Sequence, residues 1–467
     1  MEIRKKILAN IRTSLLMSML LGCMTIATAA SVHAKDLAPT PPMGWNSWDS
    51  YGLTVSEADY RANAKVLASL KEHGWSYAVV DMGWYMAKPI SNNRFASDFQ
   101  IDSNGLLIPA VGRFPSAAGG AGFKPLADWV HGLGLKFGIH IMRGIPRGAV
   151  EQNSPIAGSG FHAADAADTS DACPWDDGNY GIRDNAAGQA YYDSVIKLYA
   201  TWGVDFLKVD CIADHPYKAA EISQIVAAIK KSERPILLSL SPGPTQLEHA
   251  AEISRHAQMW RISNDIWDGW HFHHDPGTDD YPSGVDTAFV NLPKWNPHVR
   301  PGAWPDADML PLGSLRPNPG YGEPRESLLS HDEQRTLFTL WAISRSPLML
   351  GTNLTMLDPF TRSLVTNSRV IALNQTAWDS HPVTDLPPGF DGAQVWIART
   401  GPRSKPTHHI AFFNPTDKPV RLNATWKQLG IEGKHAALDL WSGARIPAAP
   451  QIEVSLPAHG SAIYRIR

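Results

Sequence analysis

Five aspartates stand where apolar runs of the chain end: Asp81, Asp210, Asp265, Asp306 and Asp308. Two carboxyl groups facing each other across a pocket are the equipment for breaking a glycosidic bond. One protonates the leaving oxygen, while the other attacks the anomeric carbon or activates water. Asp210 closes the run Val204-Asp205-Phe206-Leu207-Lys208-Val209-Asp210-Cys211, whose Val, Phe and Leu read as a fully buried strand. Lys208 and Asp210 share side-chain parity and point to one face near its carboxyl end. A lysine so placed lowers the pKa of Asp210 and keeps it ionised, as a nucleophile must be. The competing reading is a structural ion pair, or a strand that simply ends at Asp210. Asp265 ends the run from Trp260, and its neighbours Ile266 and Trp267 make an apolar setting that suits a general acid. Arg261 shares its strand parity, and either reaches the pocket or forms a structural pair with it.

Strands that end in such residues need a scaffold, and the chain supplies a regular one. Met43 to Asn46 is a short strand, and Ser56 caps a helix through Tyr60, Ala64, Leu67 and Leu70, ended by Gly74. Strands follow at 77–80, 136–141, 204–210, 235–241, 259–265, 304–310 and 347–350, with helices near 123–133, 187–202, 218–231, 246–256, 333–344 and 359–373. Ser330-His331-Asp332-Glu333 is a capping box. The stretch from Arg143 to Asp184 reads as irregular, which in a compact domain marks function. About eight strand-helix units predict a (β/α)8 TIM barrel, whose catalytic groups sit at the carboxyl ends of the strands. A doubly wound sheet is the alternative, but no Gly-rich nucleotide turn is present. Past Asn374 the pattern changes to short strands around Val395, Ile410, Val420, Leu438 and Ile463, predicting a C-terminal antiparallel β-sandwich. The expected organisation is a signal peptide over 1–34, the barrel over 35–384 and the sandwich over 385–467.

The composition of the 467 residues narrows the partners. A formal net charge of −3 argues against nucleic acid, which wants a concentrated basic face. Seventeen tryptophans suit stacking on sugar rings, although core packing uses tryptophan too. Arg4, Lys5, Lys6 and Arg12 precede an apolar run from Leu15 to Ala30, shorter than the roughly 20 residues of a membrane span. Val32-His33-Ala34 then gives a small-x-small cleavage site, so periplasmic or secreted localisation is expected, with no membrane partner after cleavage. Leu21-Gly22-Cys23 loosely resembles a lipoprotein box, and lipidation is a minor alternative. Export leaves two cysteines, Cys173 and Cys211, in an oxidising compartment that favours a disulfide beside Asp210. His271-Phe272-His273-His274-Asp275 offers metal-ligand types without a matching set at zinc-site spacing, so no metal is expected.

Several motifs occur together in one order: Pro42-Met43-Gly44-Trp45-Asn46-Ser47-Trp48, Leu207-Lys208-Val209-Asp210-Cys211, Trp260-Arg261 with Asp265-Ile266, and Trp304-Pro305-Asp306-Ala307-Asp308-Met309-Leu310. With Leu340-Trp341-Ala342-Ile343 and Ser346-Pro347-Leu348, they make nearly the whole mature chain resemble glycoside hydrolase family 27, the α-galactosidase/α-N-acetylgalactosaminidase family. The resemblance implies a retaining mechanism with Asp210 as nucleophile and Asp265 as acid/base. It also implies sugar contacts from Trp45, Asp81, Lys208 and Arg261, with Asp308 beside them, a Cys173–Cys211 bridge and no cofactor.

The chain departs from that family at three positions. Galactose-specific members usually carry two successive aspartates at the second strand end, gripping O4 and O6, and here Met82 replaces the second. His140 stands where a Tyr is common, and Ser241 where α-galactosidases usually hold a Glu to O2. The leading expectation is a secreted exo-α-glycosidase, nominally an α-galactosidase acting on an oligosaccharide or polysaccharide. Alternatives on the same machinery are a β-L-arabinopyranosidase, an α-N-acetylgalactosaminidase or an α-glucan hydrolase. A non-catalytic carbohydrate-binding protein is the alternative of another class.

Overall fold

The computed structural model describes residues 37–89, 99–272, 281–386 and 388–467. The expected signal peptide lies outside the described residues, as do His273, His274 and Asp275 of the His-rich stretch.

Eight parallel strands form one sheet: β1 (Met43–Asn46), β2 (Tyr77–Val80), β3 (Lys136–Met142), β4 (Phe206–Asp210), β5 (Leu237–Leu240), β6 (Met259–Arg261), β7 (Trp304–Asp306) and β8 (Leu348–Leu350). Neighbours in sequence are neighbours in space from β1 to β7, and β8 pairs with β1. A parallel bridge between Leu310, just past β7, and Leu350 of β8 joins the two ends of the sheet. This is the (β/α)8 barrel expected from the alternation. Its strands are apolar on both faces because side chains fill the interior and helices cover the outside.

Local chemistry sets the helix ends. Ser56 and Asp59 form a reciprocal capping box for the helix Glu57–Ser69, and Ser330 with Glu333 does the same for His331–Ser344. The helix Ala186–Trp202 starts at Asn185, whose side chain accepts from Gly188 N, and ends at Gly203 in the left-handed region. The single helix expected over 359–373 is two, Pro359–Val365 and Ser368–Thr376. The side chain of Asn367 accepts from the backbone N–H groups of Arg369 and Val370, which restarts the helix there.

Two further expectations need correction. The strand from Met259 ends at Arg261 rather than running to Asp265, since Ile262 N donates to Asp306 O and Thr245 N to Arg261 O as the chain leaves the sheet. Strand parity therefore does not relate Arg261 to Asp265. The stretch from Arg143 to Asp184 is not irregular. It holds two short helices and a hairpin of strands Ala167–Cys173 and Asp176–Ile182, turning at Pro174-Trp175.

From Asp379 onward the chain builds an antiparallel sheet of six strands and a smaller pair, Val420–Thr425 with Gln451–Leu456. Period-two alternation sorts the side chains of the central strands. Val395, Ile397, Ile410 and Phe412 enter the sandwich core, whereas Trp396, Ala398, Ala411 and Phe413 join the barrel's apolar cluster. These strands read as near-continuous apolar runs because both faces are covered. The indole of Trp270 stacks on His459 at 4.1 Å, and Phe289 meets Phe413 at 5.5 Å, so the sandwich braces the segment that follows β6.

Candidate active site

A cavity of about 320 Å³ opens at the carboxyl ends of the strands. Trp48 follows β1, Asp81 and Met82 follow β2, His140 comes from β3, Lys208 and Asp210 from β4, and Asp265 from the turn after β6; all line it. His140 and Lys208 are register partners across β3 and β4, so both side chains point inward at one level. The pairing that puts Met142 opposite Asp210 carries the nucleophile candidate to the strand's end.

The floor of the cavity is a fixed network. Lys208 Nζ donates to Asp81 Oδ2 at 3.0 Å, and Asn46 Nδ2 donates to the same oxygen at 2.7 Å. Met82 N donates to Asp81 Oδ1 at 2.8 Å. Burial pushes the Asp81 carboxyl up, but Lys208, His140 and these donors outweigh it and hold the group well below the usual carboxylate range. Burial acts against the Lys208 ammonium, and Asp81, Asp210 and Asp265 overcome it, so Lys208 stays charged.

Asp210 is buried too, which alone raises its pKa. The hydrogen bond and charge of His140, followed by Lys208 and the Cys211 N–H, reverse that and lower it. His140 Nε2 lies 3.3 Å from Asp210 Oδ2. An ionised carboxylate only accepts, so Nε2 carries the hydrogen. The Cys211 N–H donates to the other oxygen, Oδ1. Cys211 is bridged to Cys173 with Cα atoms 6.0 Å apart, so the hairpin tip is tied to the residue after Asp210.

Asp265 has a different neighbour. Arg261 Nη1 donates to Asp265 Oδ1 at 3.1 Å and pairs with Asp308 Oδ1 at 2.8 Å. Ile266 N donates to Asp308 Oδ2 at 2.7 Å, which fixes the turn that presents Asp265. Burial, with Asp265 and Asp306 nearby, pushes the Asp308 carboxyl up to about 7 against the pull of Arg261.

Four residues expected to touch substrate do not line the cavity. Trp45 is fully buried, and its Nε1 donates to Thr352 O at 2.8 Å. Strand β1 turns its indole into the core, and Trp48, past the strand end, reaches the cavity instead. Arg261 and Asp308 lie behind Asp265, because the strand ends early and Asp308, at φ 91°, turns back toward it. Ser241 is buried, its carbonyl accepts from Ile212 N, and Pro242 forms the wall there. Asp81, Met82, His140, Lys208, Asp210 and Asp265 are brought together.

The cavity also takes in Trp175, His215, Asn264, Tyr281 and Met309, which sequence reasoning did not single out. Trp175 carried a signal: it lies two residues past Cys173 in a loop flagged as functional. His215 and Tyr281 carried none, because they sit in loops whose course no local pattern specifies. His271, from the His-rich stretch, pairs with Asp286 at 2.6 Å.

A barrel mouth that holds one carboxylate ionised and presents a second on a separate turn has the equipment for cleaving a glycosidic bond. The model of the α-galactosidase A family matches residues 176–376, and that of the α-galactosidase C-terminal β-sandwich domain matches 390–466. A β-L-arabinopyranosidase of family 27 from Geobacillus stearothermophilus is 42% identical, with a TM-score of 0.87 over 94% of this chain and 98% of that one. A putative α-N-acetylgalactosaminidase from Bacillus halodurans is 39% identical, with a TM-score of 0.78 over 91% and 96%. An α-galactosidase of Oryza sativa subsp. japonica is 28% identical over 92% of this chain and 85% of its own. The chain belongs to glycoside hydrolase family 27.

Proposed function

We propose that this glycoside hydrolase is a retaining, exo-acting enzyme that removes terminal β-L-arabinopyranosyl units in preference to α-D-galactopyranosyl ones. Met82 carries the reading. It lines the cavity beside Asp81 and can neither accept nor donate a strong hydrogen bond to a sugar hydroxyl. β-L-arabinopyranose has the ring configuration of α-D-galactopyranose without the C6 hydroxymethyl group. An apolar wall suits a sugar that has no O6, and Asp81 with Lys208 remains to receive ring hydroxyls. The 42% identity to a β-L-arabinopyranosidase, against 28% to an α-galactosidase, supports the same preference. α-Galactosidase activity is the second reading, favoured by the matches to the two α-galactosidase family models and to the α-galactosidase of Oryza sativa.

In this mechanism Asp210 attacks the anomeric carbon while Asp265 gives its proton to the leaving oxygen. Asp265 then takes a proton from water, whose oxygen displaces Asp210. Export to the periplasm or medium accords with the basic and apolar N-terminal sequence and with a disulfide beside the nucleophile. A panel of 4-nitrophenyl glycosides tests the specificity. The β-L-arabinopyranoside should give the highest kcat/KM. A higher value for the α-D-galactoside would establish the second reading, and no turnover of either would contradict both.

A further inference from the structure

We infer that Trp175 and His215 form a stacking platform for the aglycone, the sugar ring on the leaving-group side of the bond that is cut. The inference rests on the roles proposed for Asp210 and Asp265. Side-chain exposure grades the site by depth: 2% for Asp81, 13% for Lys208, 20% for Asp210, 29% for Asp265 and 37% for His215. The anomeric carbon must sit between Asp210 and Asp265, so the sugar to be released occupies the deep, charged part of the cavity. His215, more exposed than Asp265, lies outward of the scissile oxygen, where the leaving group departs, and Trp175 joins it there through their ring contact.

The outer groups have the chemistry of a sugar platform. The rings of Trp175 and His215 are 5.7 Å apart at 85°, so each keeps at least one face that the other does not cover. A sugar ring carries a patch of C–H groups that stacks on such a face. His215 Nδ1 lies 3.0 Å from Asp214 Oδ2, which fixes its ring orientation.

Several contacts hold the platform in place. Trp175 occupies the hairpin turn directly after the bridged Cys173, whose partner Cys211 adjoins Asp210. Asp171 of the same hairpin is paired with the buried Arg143 at 2.8 Å and with Lys218 at 2.9 Å. The platform is therefore fixed relative to the attacking carboxylate. The ligand class is a second sugar ring joined through the glycosidic oxygen.

Two substrates separate this role from a contact to the released sugar. β-L-arabinopyranosyl fluoride has a leaving group without a ring, and a disaccharide ending in the same sugar has one. Trp175→Ala should lower kcat/KM for the disaccharide about tenfold and leave the fluoride within about twofold. His215→Ala should act in the same direction. Equal losses on both substrates, or no loss on either, would overturn the platform. If Trp175→Ala does not fold, Trp175→Leu and His215→Ala carry the same comparison. A wild-type enzyme inert toward both arabinopyranosyl and α-D-galactosyl fluoride would instead overturn the proposed sugar specificity.

Discussion

Lys208 Nζ sits 3.0 Å from Asp81 Oδ2, a contact that runs from the fourth barrel strand past the third to the end of the second. Both side chains are largely buried, so neither charge has water to turn to. Lys208→Met leaves Asp81 charged and unpaired, and should destabilise the protein by about 3–5 kcal/mol at neutral pH. The folded state depresses the Asp81 pKa, so its stabilising share is present above the ordinary carboxylate value and is lost as pH falls through the lower folded one. The gap between wild type and variant in urea unfolding should therefore narrow below about pH 4. A gap that stays the same as pH falls would mean that the loss does not come from the Asp81 charge.

His140 governs the acid side of the pH profile. Its hydrogen bond and charge are the strongest of the influences that lower the Asp210 pKa against the upward push of burial. His140→Phe removes both, so Asp210 takes up a proton at higher pH. The acid limb of kcat/KM should move upward in the variant. An unmoved limb would show that His140 does not act on the nucleophile.

Asp265 should matter in proportion to the leaving group's need for a proton. Asp265→Ala is expected to lower kcat/KM for a disaccharide by about 10²–10⁴-fold. A 2,4-dinitrophenyl glycoside, whose phenolate departs unaided, should lose far less in the first step. Equal losses on both substrates would remove Asp265 from the acid role.

Met82→Asp supplies the second aspartate that galactose-specific relatives usually carry. One charged hydrogen bond contributes about 1.5–3 kcal/mol, so the ratio of α-galactosidase to β-L-arabinopyranosidase kcat/KM should rise about 10- to 100-fold. A ratio that stays the same would relieve Met82 of any part in specificity.

The sequence was most informative where one local pattern decides the structure. The caps at Ser56 and Ser330 follow from spacing and chemistry within a single element, while the Cys173–Cys211 bridge follows from the two cysteines left past the expected signal peptide and from the family resemblance. Parity placed Lys208 and Asp210 on one face because β4 runs unbroken from Phe206 to Asp210. The same reasoning does not carry Arg261 into the cavity, because β6 stops after three residues and tertiary bonds to Asp306 take over, whereas the alternative of a pair with Asp265 holds at 3.1 Å. Trp45 carried the family motif, yet the barrel's first strand turns it inward. The rim residues His215 and Tyr281 come from loops shaped by distant partners, such as the Tyr281 hydroxyl donating to Asn318 at 2.6 Å. Local pattern holds no trace of such contacts.

The central claim is that Asp210 attacks the anomeric carbon and becomes glycosylated. A 2,2-difluoro glycoside with an activated leaving group slows hydrolysis of that ester, so the intermediate should accumulate and be found by peptide mass spectrometry. The account predicts one added glycosyl group, on the peptide ending the fourth barrel strand and at Asp210. An adduct on Asp265 or any other residue, with Asp210 unmodified while the enzyme is inactivated, would contradict it.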